Sequence, residues 1–245
     1  MLEVDAMSKK FGDFEAVKDV SFKASKGEVL GFLGPNGAGK STTMKMITGF
    51  LESTSGDAKI CGKSIHTHTL DAQKHIGYVP ENAPLYEDMY VREFLEFVAR
   101  MRDVADDKVE ARVATAMEMC AIKDVEFQRL ETLSKGYKRR VSLAQSLVHD
   151  PDVLILDEPT DGLDPNQKHD VRELIKRLSA EKCILISTHI LEEVEEVCDK
   201  CIIIGEGKKL FEGTPEDLRG KSKDGRIQDV FRAITTGRSV EGVTL

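Results

Sequence analysis

Short apolar runs alternate with amphipathic stretches along most of the chain. The runs contain four to six residues and are rich in β-branched side chains; they span 28–33, 76–79, 153–156, 183–187 and 201–204. Runs without polar alternation are typical of parallel strands that helices cover on both faces. Between the runs, apolar residues recur three and four positions apart, which is the spacing of a helix face. The alternation predicts an α/β fold with a mostly parallel sheet.

Two regions interrupt this alternation. Residues 85–150 contain three helical stripes and no strand pattern, which predicts an α-helical subdomain inserted into the α/β core. Residues 2–25 and 57–65 contain short strand-like runs with turn residues, which predict a small antiparallel β subdomain. We expect one domain over 1–220 and a C-terminal tail with a short helix over 221–245.

The composition narrows the functional class. The 245 residues include 35 Lys and Arg against 43 Asp and Glu, a formal charge of −8, so we expect no nucleic-acid partner. No apolar run approaches the ~18 residues of a membrane helix, and no secretory signal is visible. Five cysteines, an odd number, do not suggest a disulfide framework in a chain of this length. These features predict a cytoplasmic protein.

A glycine-rich segment follows the first predicted strand. The stretch from Gly34 to Ser41 fits G-x-x-x-x-G-K-[ST] and leads into a helical pattern. The backbone N–H groups of such a loop surround phosphate oxygens at the positive end of a helix. Lys40 is expected to reach the β- and γ-phosphates, and the Ser41 hydroxyl to bind Mg²⁺. A plain glycine turn is the alternative, but all eight positions and both flanks match the pattern.

Two adjacent carboxylates follow the apolar run at 153–156. Parallel sheets bind ligands at the carboxyl ends of their strands, which is where Asp157 and Glu158 are expected. Asp157 is suited to hold Mg²⁺, directly or through water, and Glu158 to orient or activate an attacking water as a general base. A solvated acidic turn is the alternative interpretation, which the phosphate loop weakens.

These segments, taken in order, resemble the ATP-binding cassette (ABC) family over roughly residues 2–220. Residues 34–42 resemble its Walker A motif, 153–158 its Walker B motif, and 133–137 its signature LSGGQ. Residues 161–164 resemble its D-loop, and His189 resembles its switch histidine. The resemblance implies a P-loop NTPase core with ATP and Mg²⁺ as ligands.

The resemblance also implies three sets of site residues. The implied catalytic residues are Glu158, His189 and Lys40. The implied Mg²⁺ ligands are Ser41, Asp157 and Glu81, the last at the Q-loop position. The implied nucleotide-binding residues are Phe11, which would stack on adenine, with Gly34, Pro35, Asn36, Gly37, Ala38, Gly39, Lys40, Ser41, Thr42, Glu81, Ser134, Gly136 and Asp164.

The residues themselves favour the dimer that the family implies. Ser134 is a natural N-cap for the helix that carries 141–148, and its hydroxyl with the N–H of Gly136 would form a second anion site. In a two-fold head-to-tail pair, the partner's helix start would close each lysine-bearing loop over ATP. An ordinary capped helix is the alternative, and a homodimer and a heterodimer both stay open.

Three positions depart from the usual family pattern. Glu81 replaces a glutamine, and Lys135 and Tyr137 replace a glycine and a glutamine of the signature. A negative charge at Glu81 repels a polyphosphate unless a cation compensates it. We hypothesise that Lys135 of the second subunit supplies part of that compensation; the alternative is that both side chains point to water.

Several other features have ordinary interpretations. The C-x-x-C spacing of Cys198 and Cys201 lies on apolar patterns, so we expect buried thiols and no metal site. The acidic run over 192–199 is interpreted as a solvated helix face, and His66 and His68 as loop residues. For the basic run 138–140, a phosphate-attracting role and a plain helix surface are both open.

We therefore expect an ATPase subunit of an ABC transporter, peripheral on the inner face of the cell membrane. ATP-driven dimerisation would energise a separate membrane permease, because the chain itself has no spanning helix. The tract 80–89 and the signature resemble one-cassette exporter subunits of the ABC-2 class, including gliding-motility and multidrug types. One alternative is a soluble ABC-type ATPase acting on nucleic acid, ribosomes or cofactor assembly. A second alternative is a regulator that binds ATP without hydrolysing it, but the presence of Glu158, the expected general base, argues against this.

Overall fold

The structure, a computed structural model, describes residues 1–240 and 242–244. The strands of this part of the chain are β1 (Leu2–Phe11), β2 (Phe14–Ala24), β3 (Val29–Leu33), β4 (Ser55–Ile60), β5 (Lys63–Ser64), β6 (Ile76–Val79), β7 (Val153–Asp157), β8 (Cys183–Thr188), β9 (Lys200–Gly205) and β10 (Lys208–Gly213). Its α-helices are α1 (Lys40–Ile47), α2 (Thr69–Lys74), α3 (Val91–Met101), α4 (Asp106–Met119), α5 (Lys135–Leu147), α6 (Pro165–Ser179), α7 (Leu191–Val197), α8 (Pro215–Gly220) and α9 (Ile227–Thr236).

The central sheet has six strands in the order β10-β9-β3-β8-β7-β6. The five predicted apolar runs form its five parallel strands, and β10 pairs with β9 in the antiparallel sense at the edge. The strand β10 was not predicted, because its lysines and Leu210 are exposed and its sequence has no apolar run. Charged side chains of this kind are common on edge strands, where they discourage further pairing.

Both faces of the central sheet are buried. Leu154 and Leu156 of β7 pack into a core shared with the helices, whereas Val153 and Ile155 pack into a core shared with the antiparallel strands. Successive side chains of a strand point to opposite faces, so a strand between two cores has to be apolar at every position. This is the physical reason why these strands are recognisable in the sequence.

The two predicted subdomains are confirmed. Strands β2, β1, β4 and β5 form a four-stranded antiparallel sheet over one face of the central sheet. Helices α3, α4 and α5 pack together in the inserted region, which contains no strand among its described residues. The first turn of α4 is exposed and carries Asp106 and Asp107. Acidic side chains favour a helix N-terminus through the helix dipole.

The predicted tail helix is α9. Its apolar side, with Ile227, Val230 and Ala233, is buried, and the helix packs on β9 and β10. The short helices α2 and α8 were not predicted, since each has six residues and presents few buried positions. Among the described residues, none of the helices has both the length and the apolar character that crossing a bilayer requires.

Stability is expected to fall in mild acid because of His149. Burial lowers the pKa of His149 to about 4, with Arg102 and Lys182 adding to the effect and Asp150 and a hydrogen bond to Ile76 opposing it. The unfolded chain therefore takes up a proton near pH 6.5 that the folded chain takes up only near pH 4. Between these values the unfolded state binds more protons, so stability decreases as pH falls, by up to about 3 kcal/mol in total.

Urea unfolding of wild type and His149→Gln between pH 4 and pH 8 measures this contribution. The difference in unfolding free energy between the two proteins should be constant above pH 7 and should shrink as pH falls from 6.5 to 4. A difference that stays constant over the whole range would rule out His149 as the source.

Candidate nucleotide site

The loop from Gly34 to Gly39 joins β3 to α1 and is held against backbone on both sides. A β-carbon at Gly34 would lie 2.4 Å from the carbonyl oxygen of Ile204, and one at Gly39 would lie 2.7 Å from that of Ala16. Gly39 also has a φ of +105°, which side chains other than glycine rarely adopt. Glycine is therefore required at both positions for steric reasons, and it leaves the loop backbone facing the cleft.

Lys40 is the first residue of α1 and lies almost fully buried beneath this loop. Its Nζ donates to the carbonyl oxygen of Gly34 at 2.8 Å and lies 3.4 Å from Oε1 of Glu158. No acidic side chain occupies the first turn of α1, so the positive end of the helix is not neutralised locally. The loop, the lysine and the helix start together form a binding site for anionic oxygens.

The carboxyl ends of β7 and β8 supply the acidic part of the site. Asp157 is buried, and its Oδ1 accepts a hydrogen bond from the Ser187 hydroxyl. Glu158 follows in the left-handed region, with a φ of +49°, and its N–H donates to the Ser187 hydroxyl at 3.0 Å. Its Oε2 lies 2.9 Å from Nδ1 of His189, which directly follows β8. The turn therefore aims the Glu158 carboxylate between Lys40 and His189.

Most of these groups line one cleft of about 620 Å³. The lining residues are Phe11, Phe14, Ala16, Asn36, Gly37, Gly39, Lys40, Ser41, Thr42, Glu81, Glu158, Asp161 and His189. Most of the predicted site residues are thus brought together. Gly34, Pro35, Ala38 and Asp157 do not line the cleft, although they belong to the same two segments. Ser41, Glu81 and Asp157 offer only oxygen atoms, the donor type that suits Mg²⁺.

Ser134, Gly136 and Asp164 lie outside the cleft, where the starts of α5 and α6 meet. Ser134 caps α5, as predicted, by accepting a hydrogen bond from the N–H of Tyr137. Asp164 caps α6 by accepting one from the N–H of Gln167 at 3.0 Å. The side chain of Gln167 also lies against Gly136, where a β-carbon would come within 2.5 Å of it. The three residues are therefore fixed relative to one another, but they do not face the glycine loop 34–39 and Lys40 of their own chain.

A buried arginine joins α5 to the acidic edge of the site. The guanidinium of Arg139 donates to the carbonyl oxygens of Asp157, Glu158 and Pro159 at 2.7–2.9 Å. It also donates to those of Pro80 and Glu81 at 3.0 and 3.2 Å. The sequence left two interpretations open for the basic run 138–140, a phosphate-attracting role and a plain helix surface. Neither applies to Arg139, because it is buried and its guanidinium is occupied by carbonyl oxygens. Burial lowers its pKa, which the surrounding carboxylates oppose.

A second buried polar group supports the end of β8. Glu193 accepts hydrogen bonds from the hydroxyls of Thr160 and, at 2.7 Å, Thr188, and lies 3.7 Å from the guanidinium of Arg172. The interpretation of the acidic run as a solvated face was wrong for Glu193, which is 2% exposed. Its neighbour Val194 is buried as well, so this side of α7 faces the protein. The network fixes the backbone on both sides of the Glu158 and His189 pair.

The departures from the usual signature have partners within the chain. The Tyr137 hydroxyl donates to Oδ2 of Asp124 at 2.6 Å, which raises the pKa of this tyrosine. The ammonium group of Lys135 lies against Gly162, and Lys135 and Glu81 line one groove of the same chain. Coupling of Lys135 to Glu81 across two subunits stays a prediction.

The cysteine pair is buried, as expected. Cys198 and Cys201 are buried, and burial raises the pKa of both thiols. Residues His66 and His68 are exposed next to α2, as predicted for loop positions.

Several contributors to the site were missed in the sequence, among them Phe14, Asp161 and Arg139. Phe14 stands opposite Phe11 in the β1–β2 register, and both rings line the cleft. This pairing could have been found from the short turn between two aromatic residues. Asp161 begins the segment that ends at Asp164, yet Asp161 lines the cleft and Asp164 does not. The role of Arg139 had no signal beyond its place in a basic run.

Fold and site together define a P-loop nucleotide-binding ATPase. Residues 17–161 match the family model described as ABC transporter. Nod factor export ATP-binding protein I of Burkholderia orbicola is 41% identical over 213 residues, covering 86% of this chain and 70% of that protein. The ABC transporter ATP-binding protein YxlF of Bacillus subtilis is 36% identical, covering 89% of this chain and 72% of that protein.

Solved structures agree with these relatives. A structure described as the ATP-binding subunit of an ABC transporter superposes with a TM-score of 0.86 at 30% identity, covering 96% of this chain and 99% of that one. The cassette cbiO1 of Clostridium perfringens superposes with a TM-score of 0.79 at 30% identity, covering 90% of each chain. The chain belongs to the ABC transporter family. It is an ATP-binding subunit with ATPase activity that energises a transporter, and the alternative of a soluble ABC-type ATPase is not favoured.

Replacing Arg139 should destabilise the protein markedly. Arg139→Met keeps most of the side-chain volume but leaves buried carbonyl oxygens without donors, so we expect a loss of about 2–4 kcal/mol in unfolding free energy. Arg140→Met is the matched control, because Arg140 pairs with Asp170 near the surface and should contribute less than about 1 kcal/mol. Urea unfolding of both variants measures the difference, and equal losses would contradict the assignment.

Proposed function

We propose that the cleft binds Mg²⁺-ATP and hydrolyses it with Lys40, Glu158 and His189 as the catalytic residues. The observation that carries this proposal is the convergence of these three side chains from α1, β7 and β8 beside a loop that exposes its backbone. Lys40 contributes positive charge for the phosphoryl oxygens, and Glu158 a carboxylate to orient the attacking water and accept its proton. His189 contacts the Glu158 carboxylate through the oxygen that is not paired with Lys40, and we propose that it also contacts the γ-phosphate.

The nucleotide would lie between the glycine loop and the aromatic end of the β1–β2 hairpin. Phe11 is half exposed at the mouth of the cleft, and the ammonium group of Lys9 lies over its ring, 5.2 Å from the centroid. We propose that an adenine ring stacks on this phenylalanine. The backbone of Asn36, Gly37 and Gly39 and the side chains of Ser41 and Thr42 are left for the phosphates. Phe14 is placed as a second aromatic contact.

The oxygen ligands in the cleft and directly behind it fit Mg²⁺. We assign its ligands to Ser41 and Asp157, with Glu81 at the rim. Asp157 uses one oxygen for the Ser187 hydroxyl and keeps the other available. When bound, Mg²⁺ neutralises charge on the polyphosphate. The carboxylate of Glu81 would then coordinate Mg²⁺, and its charge would no longer repel the polyphosphate.

A second ATPase subunit is needed to complete this site. Ser134, Gly136 and Asp164 are spatially grouped but lie outside the cleft of their own chain, which supports a head-to-tail dimer with ATP between the subunits. The capped start of α5 would then face the γ-phosphate bound by the other subunit. The partner is of the same cassette type, as a homodimer or a heterodimer.

The transport path would belong to a separate membrane permease. Exposed aromatic residues gather on the helical subdomain, where Tyr86 packs edge-on against Phe97 at 5.6 Å and both remain solvent accessible. Tyr90 and Phe127 are exposed in the same subdomain. An apolar surface of this kind suits a helix of the permease. We propose that docking here holds the subunit at the inner face of the cell membrane.

The relatives favour export as the direction of transport. The Burkholderia orbicola relative is named as a Nod factor export protein, and the resemblance to one-cassette ABC-2 exporters points the same way. For this chain we propose an exporter subunit and assign no cargo.

Replacing the general base should trap the dimer. In Glu158→Gln, ATP hydrolysis should fall by about 10²–10⁴-fold, because the amide cannot accept the proton from water. ATP should then double the apparent mass of this variant in size-exclusion chromatography. Adding Ser134→Arg should abolish the dimer while one ATP still binds to each chain, because Ser134 contacts only the other subunit's nucleotide.

The exposed Glu192→Gln variant is the control and should hydrolyse ATP as wild type does. If Glu158→Gln binds ATP and stays monomeric, or if the added Ser134→Arg change has no effect on the dimer, the shared-site proposal is wrong. Retention of full hydrolysis in Glu158→Gln would instead reject the catalytic assignment.

Charge on the aromatic surface should release the subunit from membranes. Tyr86→Asp with Phe97→Asp adds two carboxylates where a partner helix would be apolar, so co-sedimentation with membranes from cells expressing the transporter should drop several-fold. Phe50→Asp, at an exposed phenylalanine after α1, is the control. Equal co-sedimentation of the double variant and wild type would place the permease contact elsewhere.

A further inference from the structure

Three potential metal ligands meet at the end of the central sheet opposite the nucleotide site. Cys61 lies in the turn between β4 and β5, His75 directly precedes β6, and Asp152 directly precedes β7. A thiol sulfur, a ring nitrogen and a carboxylate oxygen from these residues lie within 4.8 Å of one another. Parallel strands β6 and β7 begin at this edge, whereas their carboxyl ends lead to the ATP site.

We propose that Cys61, His75 and Asp152 form a binding site for a divalent zinc ion, with water as the fourth ligand. A sulfur, nitrogen and oxygen donor set suits Zn²⁺, which accepts all three atom types in tetrahedral coordination. A thiolate and a carboxylate carry two negative charges, which one Zn²⁺ neutralises with a neutral imidazole. Three protein ligands and an open position form a common zinc arrangement.

The backbone holds each ligand in place before any ion binds. The N–H of Cys61 donates to the carbonyl oxygen of Met1 at 2.8 Å. The carbonyl oxygen of His75 accepts from the N–H of Val153 at 2.9 Å. The carbonyl oxygen of Asp152 accepts from the N–H of Cys183 at 3.0 Å. The ligands thus come from fixed positions at the edges of two sheets. Preorganisation of this kind reduces the entropic cost of binding.

The side chains of His75 and Asp152 also hold each other, while staying accessible. Nδ1 of His75 lies 2.6 Å from Oδ2 of Asp152, with more than a third of each side chain exposed. Ligand atoms in a tetrahedral zinc site lie roughly 3.5 Å apart. The distances require only small side-chain rotations, which these accessible groups can make.

The backbone conformation at Cys61 supports a role for its thiol in metal binding. Cys61 has a φ of +49° and Gly62 one of +80°, so both central residues of this two-residue hairpin turn are in the left-handed region. Asparagine, aspartate and glycine are the residues favoured in such turns. A cysteine here is locally unfavourable, and zinc binding offers a compensating interaction. The bound ion would tie the antiparallel sheet to the start of β6 and β7.

Cobalt substitution tests the site directly. We expect tag-free protein, stripped with chelator and kept free of nucleotide, to bind one equivalent of Co²⁺ with a thiolate-to-metal band in the near ultraviolet. Zn²⁺ should displace the cobalt. The band should vanish in Cys61→Asn, and His75→Asn and Asp152→Asn should each weaken binding at least about tenfold.

Two controls make the test specific. His68→Asn removes an exposed histidine outside the cluster, and Cys120→Ala removes a buried thiol elsewhere, so both should keep the band. A band that survives in Cys61→Asn, or none at millimolar Co²⁺, would overturn the proposal and leave His75 and Asp152 as a plain surface pair.

Thermal unfolding supplies a second readout that does not depend on colour or on ATP turnover. Zn²⁺ at a hundredfold excess over its Kd should raise the Tm of wild type by about 5–10 °C. Cys61→Asn should lose this response, yet its metal-free form should be at least as stable as wild type because asparagine suits the turn. Its ATPase activity should be unchanged. Equal zinc responses in the two proteins would contradict the site.

Discussion

The buried guanidinium of Arg139 is the interaction on which the geometry of the nucleotide site depends. It fills the gap between α5, the turn after β7 and the segment after β6, and it supplies donors to carbonyl oxygens in both segments. Two of these carbonyls belong to Asp157 and Glu158, where the chain leaves β7 in a turn with a positive φ at Glu158, and the other two belong to the segment that follows β6. Without this rigid, multiply donating group, the carbonyl oxygens of the turn that aims the Glu158 carboxylate would lose their guanidinium donor, and the turn would keep only its hydrogen bonds to Ser187 and Asp161.

Two further constraints complete the placement of the acidic and basic groups. Ser187 on β8 contacts both Asp157 and Glu158, and Glu193 holds Thr160 and Thr188 on either side. The charged groups of the cleft are thus supported by neutral hydroxyls and main-chain groups from three neighbouring elements. Catalytic groups held in this way need little rearrangement when substrate binds, which favours electrostatic stabilisation of the transition state.

The sequence predicted the parts of this protein that follow from local rules. Strands buried on both faces must be apolar throughout, and a phosphate loop needs glycine where backbone approaches backbone, as Gly34 does beside Ile204. The burial of Arg139 and Glu193 could not be predicted in this way. Each belongs to a run of like charges, and only the rotation of its helix against another element decides which member faces inward. The Cys61, His75 and Asp152 cluster was missed for a different reason, because its members are far apart in the sequence and only the tertiary fold brings them together.

The rigid attachment of α5 also explains why the proposed ATP site needs two chains. Ser134 precedes Arg139 by about 1.4 helical turns, so a helix segment about 7.5 Å long fixes its distance from the Glu158 turn. Moving the start of α5 over the lysine loop of the same chain would break the hydrogen bonds of Arg139 and separate Gly136 from Gln167. Breaking hydrogen bonds costs most free energy when the groups are buried, as they are around Arg139. A second subunit can present its own capped helix without disturbing either contact, and this makes the shared site the less costly solution.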